Sequence, residues 1–168
     1  MAGTLEVQSG ALLRMGDTGE AHSLTLLSGS TLAGTGTVVL NGPNRMVVPG
    51  DFDGPVFVDI TDSRARLVMP GLYTVKTSRS MVGTVESAGV IIPTNVVFSV
   101  SSASLTGPVS VRNGGTLRTM GGTVNFGGPV LVEKGAQWLA EPSGQTLNLS
   151  GTVTNLGTLR WISANNTF

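Results

Sequence analysis

A nine-residue phrase constrains this chain more than any other feature. It appears first as Leu5 to Leu13 (LEVQSGALL) and again as Leu24 to Leu32 (LTLLSGSTL). It returns as Val109 to Leu117 (VSVRNGGTL) and then as Val130 to Trp138 (VLVEKGAQW). Within each pair the copies begin about 20 residues apart, a period that marks repeat architectures. Each copy is apolar-x-apolar, then polar residues around a Gly, then a second apolar position. Alternation with a period of two marks a half-buried strand, and Gly is the residue that turns a tight corner. The phrase reads as strand, corner, strand. One such unit cannot bury its own apolar face, whereas stacked units bury a continuous one.

Composition places the chain in the all-β class. Gly (24), Val (21) and Thr (20) dominate, and only 12% of the 168 residues are charged. Val and Thr suit pleated strands, and no run of ten residues carries the periodicity of an amphipathic helix. Hydrophobic content is 40% and the formal net charge is zero, so the chain lacks the signature of disorder. That neutrality also gives no electrostatic footprint for nucleic acid or an anionic membrane. There is no Cys, which excludes disulfides, Cys metal sites and a Cys nucleophile. No apolar run approaches the roughly 18 residues of a membrane span, so no membrane insertion is expected. No signal-peptide pattern follows Met1, and export would need a signal outside this chain.

The remaining chain extends the pattern. Val38 and Leu40 alternate with Thr37 and Val39 as a strand, ended by Asn41-Gly42-Pro43-Asn44. A second phrase, Gly54-Pro55-Val56-Phe57-Val58, returns at Gly107 and at Gly128. Pro cannot donate to a ladder and so belongs at a strand's first residue. Val56, Val58 and Ile60 should face inward, with Phe57, Asp59 and Thr61 outward. Residues 67–69 and 89–92 read as strands ended by Pro. Residues 45–97 fit the repeat least well, while the last third fits it best.

Stacked parallel coils about 4.8 Å apart satisfy this pattern. The expectation is one domain over residues 1–168, a right-handed parallel β-helix of about eight coils and roughly 40 Å long. A β-sandwich is the alternative, because short strands with frequent turns fit it too. Sandwich strands, however, have no reason to repeat a motif. Trp138 occupies the repeat position of Leu13, Leu32 and Leu117 and should be internal. Trp161 shares a face with Leu159 and should lie over the core at the chain's end.

The wording of these repeats carries a resemblance. Gly3 to Leu13, LTLLSGSTLAGTGTVVLNG (Leu24 to Gly42) and LSGTVTNLGTLRW (Leu149 to Trp161) resemble the passenger repeats of autotransporters and filamentous-haemagglutinin-like adhesins. The resemblance covers about two-thirds of the chain. It implies a β-helix segment of a longer cell-surface or secreted protein, extracellular, structural or adhesive, and without an active site to carry over.

One cluster could hold chemistry. Asp51, Asp53, Asp59 and Asp62 are followed closely by Arg64, Arg66, Lys76 and Arg79. On β-helices resembling pectate lyases, outward acids bind Ca²⁺ and a basic residue abstracts a proton beside a uronate carboxylate. A lyase-like site would need Asp51, Asp53, Asp59, Arg64 and Arg66 to converge on one outer groove, with Ca²⁺ as the cofactor. The plainer expectation is that these charges solubilise an outer face and pair with one another. Phe57 and Tyr73 are the candidates for an exposed aromatic contact to a glycan. The sole histidine, His22, has no second His or Cys to join it and should lie in a loop. The sequence thus favours a non-catalytic segment that displays residues 45–97, with a glycan or protein as ligand. Open ends are expected to continue into flanking repeats or to self-associate.

Overall fold

A computed structural model describes residues 3–16, 19–51, 57–77 and 79–161. Among these residues there is no helix, and every strand pairing is parallel. The chain is a β-solenoid of about seven turns, consistent with right-handed winding. Parallel pairing throughout removes the β-sandwich alternative.

Each coil has three sides. The first carries β1 (Thr4–Glu6), β4 (Thr31–Ala33), β9 (Leu72–Thr74), β11 (Gly89–Ile92), β13 (Val109–Val111), β15 (Val130–Val132) and β17 (Val153–Asn155). The second carries β2 (Leu12–Met15), β5 (Thr37–Leu40) and β7 (Phe57–Ile60). The third begins with β3 (Ser23–Thr25), β6 (Arg45–Val47) and β8 (Arg66–Val68). From there the second and third sides merge into long bent strands: β10 (Arg79–Glu86), β12 (Val97–Leu105), β14 (Thr116–Phe126) and β16 (Gln137–Leu149). The last strand, β18 (Thr158–Trp161), pairs with the first part of β16.

The bend in the long strands is a column of bulges. Register shifts fall between Met81 and Gly83, Val100 and Ala103, and Met120 and Gly122. A bulge adds an unpaired residue and turns the strand. Gly83 shows why Gly is needed there: its φ is +92°, and a Cβ would lie 2.6 Å from the Asp62 carbonyl oxygen.

Inward residues form aliphatic columns. On the third side Leu24, Met46, Leu67, Val85, Leu105, Phe126 and Leu149 stand in register. On the first side Tyr73, Val90, Val109, Val130 and Val153 do the same. Trp138 lies directly on Leu117 and is 2% exposed, as the repeat position requires. Its ring meets Phe126 edge-on, with centroids 5.4 Å apart. Its Nε1 donates to the buried Thr119 hydroxyl at 3.3 Å, so the one polar atom of the indole is satisfied.

The opening repeat has a different meaning from the one its spacing suggests. Leu5 pairs with Leu32 and not with Leu24. The phrase at Leu5 joins the first side to the second, whereas the copy at Leu24 joins the third to the first. Leu32 therefore does not share a column with Leu13, which pairs with Val38. What the copies share is the corner. A backbone bond closes it between Gln8 and Ala11, Leu27 and Ser30, Arg112 and Gly115, and Glu133 and Ala136 alike. The copies at Val109 and Val130 do lie in register, one coil apart. The Gly-Pro-Val phrase behaves similarly. Its copies at Gly107 and Gly128 lead into β13 and β15, but Phe57 and Val58 lie on β7, on the second side; Val56 falls outside the described residues.

Among the described residues, 45–97 carry β6 to β11. There β7 continues the column of β5, and β6, β8 and β10 continue that of β3, while no described strand links β4 to β9 on the first side; the coil that brings Gly89 onto Leu72 is a short one. Trp161 stacks over the buried Ala140 as Leu159 stacks over Trp138, so it lies over the core on the last described rung, with 58% of its surface exposed.

Candidate functional site

Residues of the acid–base cluster fall on all three sides. The side of each is set by alternation within its strand. On β7, Val58 and Ile60 are buried, so Phe57 and Asp59 point outward as their spacing requires. One coil later Arg79 sits at the start of β10, in register with the internal Phe98. Its side chain is only 13% exposed. Nη1 donates to the Val58 carbonyl at 2.8 Å and to Asp59 Oδ1 at 2.5 Å, and Nη2 donates to the Thr77 hydroxyl at 3.0 Å. The guanidinium carbon lies 5.1 Å from the centre of the Phe57 ring, a cation–π contact. Arg79 ties the third coil to the fourth.

Tyr73 is a correction to the expected exposed aromatic. It faces inward on β9 and is 4% exposed. Burial pushes its hydroxyl up to about 12; the Arg79 charge lowers it and the Asp59 charge raises it. Phe57 is half-buried beneath Arg79 and offers no free ring face on that side.

The other charges are elsewhere. Asp62 and Arg64 lie at the corner between β7 and β8. Arg64 donates from its backbone N and from Nε to Asp62 Oδ1, and from Nη2 to Oδ2. These bonds hold the Asp62 carboxyl down at about 2. Arg66 faces outward on the third side and pairs with Glu86 at 3.2 Å. Asp51 lies on the first side, where its carboxylate accepts the Leu72 backbone N–H at 2.8 Å. It replaces a strand carbonyl along the edge of β9. Asp53 lies outside the described residues. The described members do not converge on one groove, and no three acidic, His or Cys residues among the described residues could share a metal ion. His22 is exposed in a loop, and its backbone N donates to Asn44.

A depression that the sequence reading missed lies on the first side. It holds about 360 Å³ and is lined by Leu72, Ile91, Pro108, Ser110, Pro129 and Leu131, among others. Ile91, Ser110 and Leu131 are successive outward residues of one column. The small Ser110 between two large neighbours leaves the hollow, and its hydroxyl lies buried there without a partner. The sequence alone does not mark it, because the register decides that Ser110 stands between Ile91 and Leu131. The lining contains no aromatic residue and no carboxylate.

Compared with protein-family models, curated proteins and solved structures, the chain matches none.

Proposed function

We propose that this chain is a structural, non-catalytic segment of an extracellular or cell-surface protein, a stiff β-solenoid that spaces or displays other parts. One observation carries the reading. Among the described residues, the charges that a catalytic groove would need, Asp51, Asp59, Arg64 and Arg66, are dispersed over three sides and bonded within or between coils, while the apolar columns run on beneath them. The resemblance of the repeats to adhesin passenger segments supports the location. The lyase-like alternative has no groove among the described residues in which Asp51, Asp59, Arg64 and Arg66 meet.

Incubation with polyuronates and Ca²⁺, followed by absorbance of unsaturated product, tests the reading. No product is expected; turnover abolished by Asp59→Asn would overturn it. A second reading, a binding module, is favoured only by the hollow at Ser110. Its apolar lining suits an aliphatic peptide side chain better than a sugar, which would ask for an aromatic platform. Binding on a glycan array that persists in Ser110→Leu would remove that hollow as the binding face.

A further inference from the structure

We propose that the hollow on the first side binds one free, medium-length aliphatic carboxylate, its chain lying along the hollow and its carboxylate on Arg112. The inference rests on reading that hollow as a binding face and is independent of the spacer role.

Two short residues open the hollow. Gly89 lies in register on the exposed Leu72, and Ser110 stands between Ile91 and Leu131 in the neighbouring outward column. A Cβ at Gly89 would meet Leu72 Cδ2 at 3.2 Å, so the Leu72 side chain leans over Gly89 and walls one end. Ser110 contributes space and no bond, because its hydroxyl is covered. From β9 to β15 the hollow crosses three rung steps, so it is about 14 Å long and suits a chain of about eight to ten carbons. Its volume of about 360 Å³ lies at the lower end of small-molecule sites.

The lining selects the occupant. Both edges of β11, β13 and β15 are paired, so their backbone polar groups are already bonded. Pro108 and Pro129 carry no N–H, and their carbonyls accept from Val90 and Val109. A peptide lying there would turn backbone N–H and C=O groups towards a surface that holds no partner for them. An alkyl chain brings no such groups, and its burial is favourable in proportion to the apolar area removed from water. The polar end is Arg112, the one charged residue of the lining. Its side chain is 49% exposed. Among the described residues only Nη1 of its guanidinium is bonded, to Glu133 Oε1 at 2.5 Å. Glu133 is held in turn by the Asn113 backbone N–H. Nε and Nη2 are left to donate as a fork, the geometry that pairs with a carboxylate.

Titration calorimetry of the full chain with hexanoate, octanoate and decanoate, each below its micelle concentration, tests this. The expected result is saturable binding of one molecule per chain that tightens about two- to fourfold per methylene. Ser110→Leu fills the hollow with a side chain like those of its column neighbours and abolishes binding. Arg112→Gln weakens octanoate about tenfold and leaves octanol unchanged, because only the carboxylate uses the guanidinium. Should Ser110→Leu fail to fold, the Arg112 comparison still decides. No saturable binding, binding that survives in folded Ser110→Leu, or octanoate binding indifferent to Arg112→Gln each overturns the proposal. Octanol binding that Ser110→Leu abolishes, with no preference for octanoate, overturns the carboxylate while keeping the hollow as a binding face. Loss of every ligand, octanol included, removes that face as well.

Discussion

Arg79 Nη1 lies 2.5 Å from Asp59 Oδ1, and the two residues are 20 positions apart in the chain. That spacing is one coil. The bond makes a brace from residues that could have been read as a proton-abstracting base and a calcium ligand. The same geometry recurs as Arg66 with Glu86, Arg112 with Glu133 and Arg118 with Glu141, at separations of 20, 21 and 23 residues. These four pairs tie adjacent coils, whereas Arg64 and Asp62 pair within one corner.

Arg79 should matter for stability well beyond an ordinary surface ion pair. Its removal strands the Val58 carbonyl and exposes Phe57. We expect Arg79→Met to cost about 1–3 kcal/mol, the range for losing a charged, mostly buried hydrogen-bonding group. Arg79→Lys should recover little, because an ammonium cannot reach three acceptors and stack on a ring together. Urea unfolding followed by far-UV circular dichroism measures both.

Tyr73 is the only tyrosine, so its ionisation can be read directly from its ultraviolet absorbance. In the folded protein it should titrate at about 12, and in denaturant near the ordinary value of 10.0. Because the folded value is the higher one, this contribution to stability is fully present below pH 10. It is lost as pH rises from 10 towards 12. A Tyr73→Phe variant should show a shallower loss over that window.

Asn44 holds the first two coils together from inside and is 1% exposed. Its Oδ1 accepts the His22 backbone N–H at 2.9 Å. Its Nδ2 donates to the Met15 carbonyl at 2.9 Å, the Gly16 carbonyl at 3.1 Å and the Asn41 carbonyl. Asn44→Ala should cost about 2–3 kcal/mol through the buried groups left unpaired. Asn44→Asp should cost more, since it aims a carboxylate at carbonyl oxygens. Hydrogen exchange should accelerate first in β2, β3, β5 and β6, because coils of a solenoid open locally.

The fold was legible in the sequence because its columns repeat. Trp138 could be placed inside from its alignment with Leu117 alone. Register was harder to read. The phrase at Leu5 and Leu24 records corner chemistry, which is local. Coil length also depends on how much chain separates β2 from β3, which the phrase does not contain. Tyr73 is internal, and its alternation with the buried Val75 is the sequence signal for that placement. The braces were equally legible in principle, as opposite charges one coil apart. The hollow at Ser110 was not, since it depends on which side chains become vertical neighbours.

Register is what disperses the charged residues, and a cysteine-free chain allows it to be measured cleanly. Thr4 and Thr31 pair in register on neighbouring strands with their hydroxyls in contact, and the ~4.8 Å strand spacing lies within the Cα separation that a disulfide spans. A Thr4→Cys/Thr31→Cys variant should oxidise readily to an intramolecular disulfide with no loss of stability. A Thr4→Cys/Ser23→Cys variant, which follows the spacing of the repeated phrase, should not. Cross-linking of the second pair in preference to the first would contradict the coil register and the placement of every charge built on it.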